Sequence, residues 1–166
     1  MRPKNTILLS TACALLVMGC VYPSARAQAT PVAGQEAEQR IVDPLESTVH
    51  ALVQKAESAS LNDRCYLYAK AVRLTTDLAD AQVASGNSQA ATLALASLQA
   101  YTVALETALT EKDKKLKDAE ILLRESSFRL NSAMLAASLE DRPAMAAALA
   151  HVNAAEVRVM GAVFAR

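Results

Sequence analysis

Tryptophan is absent from this 166-residue chain, phenylalanine occurs twice, and aromatic residues make up 4% of it. Four glycines and five prolines leave few breaks. What remains is a helix-forming palette with small side chains at its contacts, and the chain reads as all-α. No apolar run is long enough to span a bilayer. The longest, from Ile7 to Met18, stops short of the roughly 20 residues a membrane helix needs. Cysteine is equally scarce. Cys13 and Cys20 lie in the first twenty residues, so Cys65 is the one ordinary thiol further along, and an internal disulfide is excluded if the leader is removed.

The chain does carry an export signal. Arg2 and Lys4 precede the apolar run, and Pro23 breaks it ahead of Ala25-Arg26-Ala27, a small-x-small cleavage site. Residues 1–27 are therefore expected to be a signal peptide, with the mature protein beginning at Gln28. A second reading stays open, because Val17-Met18-Gly19-Cys20 is similar to a bacterial lipobox, although Met18 is a poor fit. An acylated Cys20 would hold the domain on a membrane surface, whereas cleavage after Ala27 would release it. Cleavage leaves 139 residues, enough for one domain, with 14 basic against 17 acidic side chains. A net charge of −3 offers no broad positive field, so nucleic acid is not an expected partner.

Residues 28–42 lack sustained periodicity and hold Pro31 and Gly34, which suggests a flexible tether before a helical-bundle domain over 43–166. The first helix is expected to open at Asp43 with Pro44 in its first turn, where a missing N–H costs nothing. Its stripe is Leu45, Val49, Leu52, Ala56 and Ala59. Continued at about 100° per residue, that stripe puts Leu61 and Cys65 on the opposite side, so a break is required near Ser58 to Ser60. Ser60 with Asp63 would cap a second helix burying Leu61, Cys65, Tyr68, Val72, Ala79 and Val83, with Leu67, Leu74 and Leu78 widening the face. Ser85-Gly86-Asn87 is the clearest turn, with Gly86 suited to a left-handed helix end. The stretch Leu78 to Ala91, with Leu95 after it, resembles the inter-helix turn of a tetratricopeptide repeat. That resemblance covers one hairpin and finds no second copy, so the expectation is an ordinary helical hairpin with alanines at the crossing.

From Ser88 to Leu139 the signals conflict. Leu98, Leu105, Leu109, Leu116, Ala119, Leu123, Leu130, Ala133 and Ala137 keep a four-three rhythm as one helix would, yet such a helix would be about 80 Å long. Thr110 to Asp113 matches a capping box, which favours a turn there. The segment from Lys114 to Leu139 has two apolar lanes, one of Leu116, Leu123, Leu130 and Met134, the other of Ile121, Phe128, Leu135 and Leu139. A helix with two lanes is expected to touch two partners. Glu140-Asp141-Arg142-Pro143 would then cap and start a last helix lined by Met145, Leu149, Val152, Val159 and Val163. The expected fold is an antiparallel bundle of four or five helices with Ala-rich contacts.

Motifs for chemistry are missing. His50 and His151 are the only histidines, and neither belongs to an HExxH or an i,i+4 pair. There is no CxxC, CxxCH, GxSxG or phosphate loop. His151 with Met134 is a nominal haem pair, but a surface histidine and a core methionine explain both residues better. Asp77 with Asp80 is spaced like a solvated helix face, and Glu140 with Asp141 like a capping turn. Cys65 sits on an apolar stripe and reads as core. Lys112, Lys114, Lys115 and Lys117 alternate with Glu111, Asp113, Asp118 and Glu120, so their fields largely cancel. No catalytic, cofactor-binding or metal-binding residue is assigned. The expectation is an exported, non-enzymatic helical protein acting through protein contacts, and the rival is a bundle that binds a small molecule or haem.

Overall fold

The computed structural model describes residues 33–110 and 114–165, which fall in one compact unit, Pro31–Arg166. The expected signal peptide, its cleavage site and Cys20 lie outside the described residues. Five helices make up the fold: α1 (Ala33–Ser58), α2 (Leu61–Ala84), α3 (Ser88–Ala108), α4 (Leu116–Ala136) and α5 (Arg142–Phe164). No strand occurs among the described residues. None of these helices is long and apolar enough to cross a membrane.

α1 begins ten residues before the expected cap at Asp43. Pro44 lies inside it, where the proline costs one backbone hydrogen bond, and Val42 is buried in the core although it was placed at the end of a tether. Proline marked a plausible helix start, but apolar burial on both sides of it carries the helix through.

The break between α1 and α2 falls where the phase jump requires it. Ser60 takes the N-cap position with extended backbone, and its hydroxyl bonds the Asp63 carboxylate at 3.2 Å rather than a backbone N–H. Cys65 and Val72 are fully buried, and Tyr68 and Ala79 are buried with them. Leu61 is 58% exposed, contrary to expectation, because it opens the helix at the corner, beyond the reach of the packed seam.

At the α2–α3 turn Gly86 has φ +74°, and two hydrogen bonds close it: Asn87 N–H to Gln82 O at 2.9 Å and Gly86 N–H to Val83 O at 3.0 Å. This is a Schellman motif. The Asn87 side chain then accepts from Ala90 N–H at 3.2 Å and caps α3. α3 ends at Ala108 and α4 starts at Leu116, so the unbroken four-three rhythm does not mark one helix. The expected capping box from Thr110 to Asp113 runs into residues 111–113, which lie outside the described residues, and the N-cap position of α4 is Lys115.

α2 packs against α1, α3 and α4; α5 closes the square by packing against α3 and α4. Within each hairpin the helices are antiparallel, but the two hairpins are stacked in parallel. Asp63 pairs with Lys115, Arg73 with Glu125 and Asp77 with Arg129, each 52 residues apart. Glu106 pairs with Arg158 at the same separation between α3 and α5. Leu98, Leu105, Leu123, Met145, Val152 and Val159 fill the interior with no exposure, and alanines such as Ala69, Ala119 and Ala148 allow close helix approach. The buried hydroxyls of Thr75, Thr76, Thr102 and Ser126 each donate to a carbonyl four residues back, at 2.7–2.9 Å, so the core holds no unpaired hydroxyl among these four.

Candidate interaction surface

α4 buries Leu116, Ala119, Leu123, Ser126, Leu130 and Ala133, a seam with alternating steps of three and four. That seam, with Leu122 and Met134 half-buried beside it, serves both neighbours, α2 and α5. The second apolar lane was expected to meet a partner and meets none among the described residues. Ile121, Phe128, Leu135 and Leu139 are all exposed, with Phe128 and Leu135 each at 73%. The reason is geometric, since Ile121, Phe128 and Leu135 are five residues beyond the seam leucines Leu116, Leu123 and Leu130 and so lie about 140° away from them, facing outward.

α5 repeats this arrangement. Met145, Ala148, Val152, Ala155 and Val159 are buried, while Val157, Met160 and Phe164 are exposed, Phe164 at 80%. Between them the outward side carries Ala146, Ala147, Ala150, Asn153, Ala154 and Gly161, all exposed and none charged. Ser127 Oγ bonds Glu156 Oε2 at 3.3 Å, which sets Phe128 within about two residues of the level of Val157, with Ile121 likewise near Phe164 and Leu135 near Ala150. The outer lanes of the two helices therefore run side by side.

Both phenylalanines of the chain stand on this hairpin and both are exposed, whereas the core holds one aromatic side chain, Tyr68, among leucine, alanine, valine, cysteine and methionine. Of the ten large apolar residues that the described part leaves exposed, seven belong to α4, α5 or the corner between them. Single exposed leucines are ordinary, but a contiguous patch of this kind marks a contact site.

Charged groups edge the patch on the α2 side. Arg73 bridges Asp77 at 2.6 Å and Glu125 at 3.3 Å, and Arg129 closes on Asp77 at 2.6 Å. Asp77, read from sequence as solvated, is held by two guanidinium groups. Only the fold brings Arg129 to it. Lys115, read as part of a self-cancelling run, reaches across to Asp63 at 3.0 Å and lies 5.0 Å above the Tyr66 ring. This pairing holds the Asp63 carboxyl below its ordinary range, chiefly through the Lys115 hydrogen bond, and raises the Lys115 ammonium for the same reason.

A second concavity lies between α1 and α3 over α2. Glu46, Val49, His50, Thr75, Leu78, Leu93 and Tyr101 are among the residues that line it, and its volume is about 220 Å³. Small-molecule pockets run from about 300 to 1,000 Å³, so this cleft is undersized for a cofactor such as haem. His151 is exposed and Met134 half-buried against the core, and neither lines the cleft. No group of three or more metal-ligating side chains occurs among the described residues.

One signal escaped the reading of the sequence. Ala59-Ser60-Leu61-Asn62-Asp63-Arg64 recurs as Ala137-Ser138-Leu139-Glu140-Asp141-Arg142, and the two segments form the α1–α2 and α4–α5 corners. In both, the serine hydroxyl meets the aspartate three residues on, at 3.2 and 2.7 Å. In both, the arginine turns back onto the preceding helix. Arg64 donates to the carbonyls of Ala59 and Glu57, and Arg142 to those of Ala137 and Leu135, the same positions five and seven residues back. These carbonyls are the acceptors a helix end leaves unpaired, and a cation there also opposes the helix dipole. A search for internal repeats at a spacing of 78 residues would have found the pair. Compared with known protein families, curated proteins and solved structures, the chain matches none.

Proposed function

We infer that this is an exported, non-enzymatic helical protein that works through protein contacts in the bacterial envelope, as an adaptor or scaffold. The observation that carries the reading is the run of exposed apolar side chains on the outer side of the α4–α5 hairpin, interrupted on α4 by Arg124 and Glu125, on which Phe128 and Phe164 both stand exposed. Aromatic anchors on a rigid helical face, bordered by charges, fit the usual anatomy of a protein-binding surface. The export signal in residues 1–27 supports the location, and intact-mass measurement of exported protein decides between a chain starting at Gln28 and one acylated at Cys20.

The test of the reading is a photo-reactive side chain at position 128 in the native envelope. Protein adducts that disappear when Phe164→Ser is added are expected, and the absence of any protein adduct would overturn the reading. The rival, a ligand-binding bundle, draws on the small α1–α3 cleft beside His50. An absorbance spectrum and intact mass of natively purified protein discriminate, since a bound chromophore or retained small molecule would favour the rival.

A further inference from the structure

We propose that the partner covering the outer face of α4–α5 is a second copy of this chain, docked about a two-fold axis that passes at the level of Phe128 and Val157. The proposal rests on the reading of that face as a protein-contact surface and names its occupant. Three properties of the face point to self-association.

The first is steric complementarity with itself. A two-fold axis lying in the face and perpendicular to the helices sets α4 antiparallel to α4 of the other copy, and α5 antiparallel to α5. Phe128 then meets Phe128, Ile121 meets Leu135, and on the neighbouring helix Phe164 comes over Ala150 and Met160 over Ala154. Met160 and Phe164 are each matched to an exposed alanine, and Val157 meets Val157 on the axis. The Ser127–Glu156 hydrogen bond holds the two helices within about two residues of the alignment needed for both to pair at once.

The second is charge. The start of α4 carries Lys114, Lys115 and Lys117, and the corner after it carries Glu140 and Asp141. Rotation about Phe128 brings each end of the lane onto the other. The Lys117 stem then covers Leu139 of the second copy and its ammonium lies beside Glu140, while Asp118 faces Ser138. Between Lys117 and Leu139 no like charges are brought together, because Arg124 is set against Ser132 and Glu125 against Asn131; beyond that stretch Lys114 comes opposite Arg142, whose guanidinium is turned back onto the Ala137 and Leu135 carbonyls.

The third is size. From Ile121 to Leu139 the lane is about 27 Å long, and two helices side by side are about 20 Å wide, a footprint on the order of 500 Å² per copy. The pair would bury on the order of 1,000 Å², at the lower limit for a specific interface, so the dimer is expected to be concentration-dependent. An isologous contact of this kind closes at two copies and leaves no free apolar face.

Sedimentation velocity of the exported chain over a wide concentration range should show a monomer–dimer equilibrium, and Phe128→Glu should weaken it by about a hundredfold or more, because two buried carboxylates would face each other on the axis. Circular dichroism of Phe128→Glu should match the parent, since Phe128 is 73% exposed and lies outside the hydrophobic core. Geometry is tested by single cysteines in a background lacking the other thiols. Phe128→Cys or Val157→Cys alone should form a disulfide-linked dimer, because each lies on the axis. Leu135→Cys alone should not, but a mixture with Ile121→Cys should. A chain that stays monomeric at all concentrations, or off-axis cysteines that cross-link as well as axial ones, would overturn the proposal. If a monomeric chain still gives a position-128 adduct with a different protein, the second copy is wrong and the contact-surface reading survives. If it gives no protein adduct, or floats with phospholipid vesicles through Phe128, both fail.

Discussion

α2 and α4 run side by side in the same direction, 52 residues out of register, yet one is covered and the other is bare. α2 shows its α4-facing side as Ala69 and Thr76, one turn either side of Arg73, both buried. Fifty-two residues on, the matching positions of α4 are Ile121 and Phe128, both exposed. In a stack of hairpins an outermost layer is normally capped by a polar surface. At these two positions the outermost layer has larger apolar side chains than the layer beneath it. The comparison teaches that exposure on α4 is not a failure to bury, since the side chains needed to end the stack in solvent are the ones the sequence withholds.

The sharpest way to break that comparison is to damage the seam and leave the lane alone. Leu123→Ala removes a fully buried side chain between α2 and α5 and should cost about 3–5 kcal/mol in a denaturant melt. At the hairpin below, Gly86→Val forces a β-branched residue to φ +74°; nothing lies within 4 Å of the added Cβ, so the cost is that of the backbone alone, about 1–2 kcal/mol. The paired corners sharpen the comparison between hairpins. Arg64→Ala and Arg142→Ala should each lose about 1 kcal/mol by uncapping the helix before them, with Arg64→Ala the larger because its guanidinium reaches three carbonyls against two. A larger loss at Arg142 would mean that the corners are not equivalent.

On the lane itself, Phe128→Ser should change the stability of the monomer by less than about 0.5 kcal/mol while removing an anchor from the outer face. A pronounced loss in dilute protein would place Phe128 in the folded core and remove the contrast between the two helices. The smallest effect concerns Asp63 and Lys115, which tie the start of α2 to that of α4. The carboxyl is held low, so its contribution is complete above the ordinary carboxylate range and fades as pH falls through the lowered value. The ammonium is held high, so its contribution is complete below the ordinary lysine range and is lost as pH rises through the raised value. Both groups are in water, and Asp63→Asn should therefore flatten the pH dependence only slightly, most visibly at low salt.

The fold was legible where a local pattern had only one solution. The phase jump before Leu61, the glycine at 86 and the Asp141-Arg142-Pro143 start each identified a boundary that stands, because helical period and backbone sterics act within one or two turns. Pro44 misled, since a residue that starts helices is also tolerated inside one when flanking burial offsets the lost hydrogen bond. The two lanes of α4 were visible as lanes. That one would be left bare was not, because a helix has no local sign of how many neighbours the topology will give it. Asp77 and Lys115 failed for a related reason: their partners are 52 residues away, and only parallel stacking connects them.

That constant separation has a consequence for how the chain assembles. Each hairpin is closed by neighbours in sequence, whereas each ion pair between the layers waits for a further hairpin's length of chain to be made. The α2–α3 hairpin is therefore complete, with its tight turn locked, while the side of α2 around Ala69 and Thr76 still has nothing to rest on. Folding is expected to be sequential, with local closure of each hairpin followed by one docking step whose loop-closure cost is modest. Substitutions at Gly86 would then slow the first event, and substitutions at Arg73 or Arg129 would chiefly speed unfolding.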